Sequence, residues 1–593
     1  MSDQVWVINY LVSKTALKQL FAFYFFLLLN ITIPANANEV TELFESPSVG
    51  YEGLSKLNNI TFNDTLTKIL AKTRKNIVYV SNCAILDKND TLYIVDKDIV
   101  ADETAFIIKS NNVTLDLNGH TVTYNDKADG FGISLATWWQ KDIEIINGTI
   151  KQGKANCKGN SNGIGCNPIH TLSGKNLLIA NLKLIWQGDD VNGMNIQHQD
   201  TALITNNFLH DLGDKVSNRH QGIVGISMNG GANIVVSDNY LYRSRNRGIR
   251  ITAENPIVEK NRVNIDSVAT NSTGINTSSG VIRFNKVFGK GAHPIGIWPG
   301  PGVQVYGNYV EVQNTMISNE YKSAGAACLR MTWGQEDGVE VWNNTFYLKA
   351  KKDGIAPGID SWGRALFVGL PKPEQRAFFH HNIIIGDNGG DGSKAPAVAM
   401  VCLNNSDKFV FEDNVIASNW APILLGDSYG GSGGFPLFRR NKIVKLYGSN
   451  DFHTIRSQYR DYASTAVLIS NTYENGASQD DIQFELPSSA IKEVRFGHML
   501  IVSVNNSVNK PVSNAKIEVN DSKGNIVFQG STSDKGTCHI QLISRTISNK
   551  FDIVKTKLSD VTDFKFKVRV SFDGKEVEQE ISLTGDRNME VTL

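Results

Sequence analysis

The sequence predicts an all-β solenoid followed by a small C-terminal β-sandwich. Three observations carry that expectation. An alternating apolar run, an Asn and a second alternating run recur along most of the 593 residues. A second recurring phrase, richer in polar residues, lies between successive Asn positions. Near Phe496 this texture stops and short strands separated by Gly turns take over.

The repeat reads as Leu115-Asp116-Leu117-Asn118, Ile145-Ile146-Asn147-Gly148-Thr149-Ile150, Val236-Ser237-Asp238-Asn239-Tyr240-Leu241 and Phe411-Glu412-Asp413-Asn414-Val415-Ile416. Its Asn stands at 118, 147, 181, 207, 239, 261, 285, 308, 344, 382, 414, 441 and 471, and the shortest spacing, 239 to 261, is 22 residues. Alternation with a period of two is the pattern of a half-buried strand. One such strand cannot bury its face alone, so successive units must stack and share a core. A coil of this length holds three short strands and their turns. Asn suits a tight turn because it tolerates left-handed backbone, and stacked amides can hydrogen-bond along the axis. Longer spacings, such as 308 to 344, imply loops inserted on one side of the coil.

The phrase, together with Asp102-Glu103-Thr104-Ala105-Phe106-Ile107-Ile108 and Asn112-Val113-Thr114-Leu115-Asp116-Leu117-Asn118-Gly119, resembles the right-handed parallel β-helix family over roughly residues 75 to 480. That family includes pectate lyases, polygalacturonases, alginate epimerases and phage tailspikes. The resemblance implies the fold and a glycan ligand; the fold hosts several reactions and also non-catalytic adhesins.

Before the solenoid, Lys14 and Lys18 precede the apolar run Leu20 to Leu29 and then Ala35-Asn36-Ala37. This order reads as a secretory signal over 1–37. The expected location is therefore secreted or at the cell envelope, with no stable membrane span after cleavage; an uncleaved anchor is the alternative. Residues 38–75 read as a lead-in, with Thr65 to Lys72 a short amphipathic helix capping the first coil, and 76–485 as the solenoid. Residues 494–593 read as the sandwich, with turn signals at Asp521-Ser522-Lys523-Gly524-Asn525 and Asp534-Lys535-Gly536 and a hairpin at Asp573-Gly574. Pro511-Val512-Ser513-Asn514-Ala515 with the Gly turns that follow resembles transthyretin-like or carboxypeptidase-regulatory modules; an Ig-like domain is the alternative. Lys+Arg and Asp+Glu both number 59, so no global field points to nucleic acid. Of six cysteines, Cys157 and Cys166 flank a Gly/Asn-rich loop that a disulfide would close, while Cys328 and Cys402 lie in apolar strands as buried thiols.

A stacked solenoid offers an outward strand face with a new side chain about every 4.8 Å. The second phrase comprises Gly193-Met194-Asn195, Val224-Gly225-Ile226-Ser227, Gly248-Ile249-Arg250, Gly274-Ile275-Asn276, Ile295-Gly296-Ile297-Trp298 and Leu329-Arg330. Alternation sends Asn195, Gly225, Arg250, Asn276, Gly296 and Arg330 outward in one column. Gln197, Ser227, Thr252, Trp298 and Thr332 form the next. The turns feeding these strands hold Asp189-Asp190, Arg219-His220, Arg245, Arg247 and His293.

Asp189, Asp190, His220 and Arg250 are the catalytic candidates, and Asn195, Arg247, Asn276, His293, Trp298 and Arg330 the substrate-binding ones. In a hydrolase, one carboxyl protonates the glycosidic oxygen and another activates water. The order Asp pair, His, Arg is similar to that of polygalacturonases, although His220 lies in Arg-His-Gln-Gly and Thr252 stands where that family has Lys. In a lyase, Arg250 or Arg247 would remove the proton beside a uronate carboxylate, and Asp189 and Asp190 would offer oxygen ligands to Ca²⁺. Each group also has a plain structural reading: Asp-Asp before Val-Asn-Gly is a good turn, and surface arginines solvate a sheet. The expected function is polysaccharide cleavage, with a non-catalytic glycan-binding surface protein as the alternative. Trp298, Trp333 and Trp362 are candidate sugar-stacking rings.

Overall fold

The computed structural model describes residues 74–593 except 161–163, 215–223, 268–271, 293, 317–325, 332–336, 351–362, 370–373, 391–396, 403–407, 427–435, 448–450, 458–463, 485–489 and 553–556. The signal, the capping helix, His220, His293, Thr332, Trp333, Trp362 and the side chain of Cys402 lie outside the described residues.

The chain is an all-β solenoid whose coils stack through three parallel sheets. Sheet I runs from Ala84–Leu86 to Ile482–Phe484 and includes Arg247–Glu254, Thr273–Thr277, Ile295–Pro299 and Ala326–Met331. Sheet II includes Ile257–Glu259, Val281–Arg283, Gln304–Tyr306 and Val339–Trp342. Sheet III includes Tyr240–Ser244, Arg262–Ser267, Lys286–Ala292 and Tyr309–Met316. Within each sheet a strand pairs in parallel with its equivalent one coil later, up to the last coil, as Ile249 with Ile275 and Ile275 with Ile297. The inward residues form one continuous apolar core, within which Phe379, Phe411 and Phe438 stack with ring centroids 4.9 and 5.0 Å apart.

The recurring Asn forms a buried ladder between sheets II and III from Asn207 to Asn471. Asn207 donates from Nδ2 to Oδ1 of Asn239, and the same bond continues through 261, 285, 308, 344, 382, 414, 441 and 471 at 2.9–3.0 Å. Each Oδ1 also accepts the backbone N–H of the preceding Asn, as Asn308 does from Asn285 at 2.9 Å. The amide then donates back to the preceding coil, as Asn285 does to Val258 O.

Two expectations need correction here. In the ladder coils the left-handed residue is the one before the Asn, including Asp238, Lys260, Phe284, His381 and Arg440, all with φ between 48 and 56°. Asn147 and Asn181 instead occupy that left-handed position themselves, with φ of 59 and 56°. Register alignment puts Gly148 and Leu182 at the ladder position of their coils, so Asn118, Asn147 and Asn181 are turn residues outside the ladder.

At the C-terminal end, Lys492–Asn505 begins as the last strand of sheet II, parallel to Ser464–Ile469. It continues antiparallel to Thr537–Asp552 and, in its second half, parallel to Arg587–Thr592. A four-stranded sheet of Ile526–Ser531, Lys516–Asp521, Lys565–Phe572 and Lys575–Ser582 faces it across a second core. The predicted hairpin forms at Asp573-Gly574, where φ values of 49 and 76° match a type I′ turn.

An interior rung is expected to be far more sensitive than an Asn of the early turns. Asn285→Ala leaves buried donors and acceptors on both neighbouring coils without partners, at about 1–3 kcal/mol each. Denaturant titration should therefore show a loss of ~2–5 kcal/mol. Asn118→Gly, at an exposed left-handed position, should stay within ~1 kcal/mol. Equal losses at both sites would contradict the ladder's structural weight.

Candidate functional site

The outer face of sheet I carries an in-register row. Ser134, His170 and Asn195 pair in sequence, Asn195 pairs with Ser227, Ser227 with Arg250, Arg250 with Asn276, and Asn276 with Trp298. Leu329 lies opposite Ile297, so Arg330 follows Trp298. The residues on either side of this row, such as Ile249 and Ile251, point into the core.

This corrects the expected column at two places: Ser227 and Trp298 belong to the row, and Gly225 and Gly296 do not. The repeating unit is Gly-apolar-X, and in the sequence an extra apolar residue before the Gly (Val224, Ile295) shifts the apparent alternation by one. The glycines form their own file at a corner of the coil. A Cβ on Gly248 would lie 2.3 Å from Val263 Cγ1 and 2.5 Å from Gly274 O, so only Gly lets the coils close there. Gln197, Asn229 and Thr252 form the neighbouring row.

The row is polar and partly dry. Asn195 and Ser227 are buried and Arg250 is half-buried. Among the described residues, neither Asn195 Oδ1 nor His170 Nδ1 has a hydrogen-bond partner. Burial pushes the His170 imidazole below its usual range, favouring the neutral ring, which stacks on Phe131 at 4.8 Å. Burial also lowers Arg250, and burial together with the Arg250 charge brings Arg247 down to about 10. Both therefore stay cationic at neutral pH in a poorly solvated setting, where a charge attracts an anion more strongly than it would in water. Asn276 Nδ2 donates to Trp298 O at 2.8 Å, and the Arg330 guanidinium lies 5.5 Å from the Trp298 ring centroid, a cation–π distance.

The turns at one edge of this face are tied together. Asp189 N donates to Cys157 O, and Gly159 N to Asp189 O, which pins the Asp pair to the loop closed by the Cys157–Cys166 disulfide. Asp190 is left-handed, with φ of 54°, and its side chain is buried. Two coils later Arg245 reaches back, donating from Nη2 to Gly188 O at 2.8 Å and from Nε to Asp211 Oδ2 at 2.8 Å. Asp211 and Arg245 are both 0% exposed. Burial pushes the Asp211 carboxyl up, against the pull of Arg245 and a bond from Gly213 N. Arg243 Nη1 adds bonds to Asp211 O and Gly213 O.

The structure thus brings Asp189, Asp190 and Arg245 to one edge, as stacking predicts. Arg245, however, is a buried structural cation and does not solvate the sheet face. The pairing was hidden because Asp211, 34 residues earlier, shares no motif with Arg245. His170 was missed because its strand, Ile169–Thr171, lacks the Gly-apolar phrase; the usable signal was its place one coil, 25 residues, before Asn195.

Calcium does not fit the Asp pair as a cage. The ion takes 6–8 oxygens, and the Asp190 carboxylate is turned into the protein. Among the described residues, ligand atoms converge at Asp129, Cys157 and Cys166, whose sulfurs are spent in the disulfide.

No protein-family model matches the chain, and no curated protein sequence matches it. Among solved structures the chain is similar to a mutant tailspike protein of E. coli bacteriophage HK620 in complex with pentasaccharide. The identity is 12%, 89% of each chain is covered, and the TM-score is 0.37.

Removing one member of the buried pair should be costly and removing both much less so. Arg245→Ala or Asp211→Ala is expected to lose about 3–5 kcal/mol, because a buried charge is left without its partner. Arg245→Met combined with Asp211→Leu should recover a large part of the loss. A double variant no more stable than either single one would show that the pair matters through packing alone.

Proposed function

We propose that the outer face of sheet I binds an acidic polysaccharide lengthwise and that the protein, exported by its N-terminal signal, cleaves it by β-elimination. The observation that carries this reading is the register of Asn195, Ser227, Arg250, Asn276, Trp298 and Arg330 on consecutive coils, with Arg247 beside them. Such a row offers a hydrogen-bonding group, a cation or a ring at each step of a chain laid along the axis.

Elimination is favoured over hydrolysis by what each reaction needs. Hydrolysis places two carboxyls on either side of the scissile bond, and Asp190 is buried in its turn. Elimination needs a base for the proton beside a uronate carboxylate and a cation to neutralise that carboxylate. The electrons of the broken C–H bond form a C=C bond as the glycosidic C–O bond breaks, and the oxygen leaves to be protonated by solvent. Arg247, brought down to about 10, gives up its proton more readily than Arg250 and acts as the base from its deprotonated form, while Arg250 stays the neutralising cation. Asn195 Oδ1, buried without a partner among the described residues, would accept a sugar hydroxyl. A non-catalytic glycan-binding surface protein is the second reading, and the same row supports it without any chemistry.

Cleavage is followed by the ultraviolet absorbance of unsaturated uronate products. Arg250→Ala and Arg247→Ala are each expected to lower the rate by ~10²–10⁴-fold, the usual size of an acid–base contribution. Wild-type cleavage by Arg250→Ala would remove it from the reaction. If acidic polysaccharides bind, lose affinity with Trp298→Ala and are never cut, the binding-protein reading stands instead.

A further inference from the structure

The outer face of sheet III carries a second patch, remote in role from the row on sheet I. The ladder indexes it, because the first and third residues after each ladder Asn point outward. Lys183, Phe208, Tyr240, Arg262 and Lys286 follow one another in register on successive coils. Beside them lie His210, Tyr242, Asn264 and Phe288, with Asn264 opposite Phe288. The register shifts around Leu209 and Leu241, and this irregularity leaves Tyr242 42% exposed. Such bulges re-aim side chains.

The rings meet edge to face. Tyr240 and Tyr242 have centroids 5.9 Å apart at 83°, His210 and Tyr242 4.8 Å at 83°, and Phe208 and Tyr240 5.6 Å at 78°. Phe208 and Tyr242 lie 5.9 Å apart and tilted at 31°, and Tyr242 at 42% exposed presents its ring to solvent. Sheet II offers the contrast: Tyr306 and Trp342 stack at 4.3 Å and 16°, with Trp342 and His380 parallel beyond them, so those rings cover one another. Cations also crown the sheet III patch. The Arg262 guanidinium lies 5.2 Å from the Tyr240 ring and 5.1 Å from Phe288, and Lys183 lies 5.8 Å from Phe208. Arg262 Nε has no hydrogen-bond partner among the described residues. Neither cation has a carboxylate within 4.0 Å among the described residues, whereas Arg243 pairs with Asp266. After burial, the charges of Arg243 and Lys183 further depress the His210 imidazole, which marks the local field as positive.

We propose that this patch is a second binding site for an acidic saccharide, with the open Tyr242 ring taking the apolar face of a sugar and Arg262 and Lys183 taking its carboxylate or sulfate. Aromatic rings combined with uncompensated cations suit a ligand that has both an apolar face and a negative group. A neutral glycan would leave the cations unused. An apolar protein surface would have to desolvate them.

Isothermal titration of the full chain with oligogalacturonate tests this, using Arg250→Ala/Trp298→Ala to weaken sheet I. Residual binding is expected in that double variant. Tyr242→Ala or Arg262→Ala on the same background should weaken it at least tenfold, and Tyr242→Phe should retain it. Circular dichroism checks that each variant folds. Absence of residual binding overturns the proposal, as does equal binding of polyglutamate, a charged chain without sugar rings. A concentration-dependent dimer that Tyr242→Ala abolishes would also overturn it and assign the patch to a second copy of this chain. If Arg250→Ala/Trp298→Ala leaves wild-type affinity untouched, the sheet I reading fails and this one does not.

Discussion

The structure depends on a buried column of amides. Each coil must reverse direction between sheets II and III, and the residue that makes the turn adopts a left-handed backbone that costs a non-Gly residue roughly 1–2 kcal/mol. Phe284, Lys260 and Arg440 accept that conformation although none favours it. The neighbouring Asn offsets the cost: its Oδ1 receives a backbone N–H and an amide N–H from the preceding coil, and its own Nδ2 passes on to the next. Every rung both satisfies a turn and fixes the height of the coil above it. The register of all three sheets is set by that spacing, and so are the rows on their outer faces.

The fold was legible because its strongest constraint leaves a letter in the sequence. Only Asn combines a double donor and an acceptor on so short a side chain, so the ladder shows as a recurring residue. What was less legible has physical reasons. Asn147 and Asn181 look like ladder members but serve as the left-handed residue itself, a role Asn also suits, while the ladder position in those coils is taken by Gly148 and Leu182. On sheet I the error was one of phase: Val224 and Ile295 extend the apolar run by one residue and shift two of the six outward assignments. Alternation cannot detect a corner.

The candidate site divides along similar lines. Asn195, Arg250, Asn276 and Arg330 fall on the row that the repeat predicts, because strand periodicity determines facing. Burial does not follow from periodicity. Arg245 and Asp211 form a fully buried pair that pins two turns, while Arg250, in the same Arg-rich segment, looks outward from the strand. Only three-dimensional neighbours separate a structural cation from a binding one.

The strand Lys492–Asn505 belongs to two bodies at once, completing sheet II with its first half and the sandwich core with its second. The strand's register shifts between Phe496 and Gly497, yet it stays paired with Thr537–Asp552 on both sides of that shift, so the joint is paired backbone and not a free linker. The C-terminal module is therefore joined to the last coil through its own backbone pairing, like a handle forged with its blade. Any torque applied to it is transmitted to the last coil and cannot be absorbed by a linker.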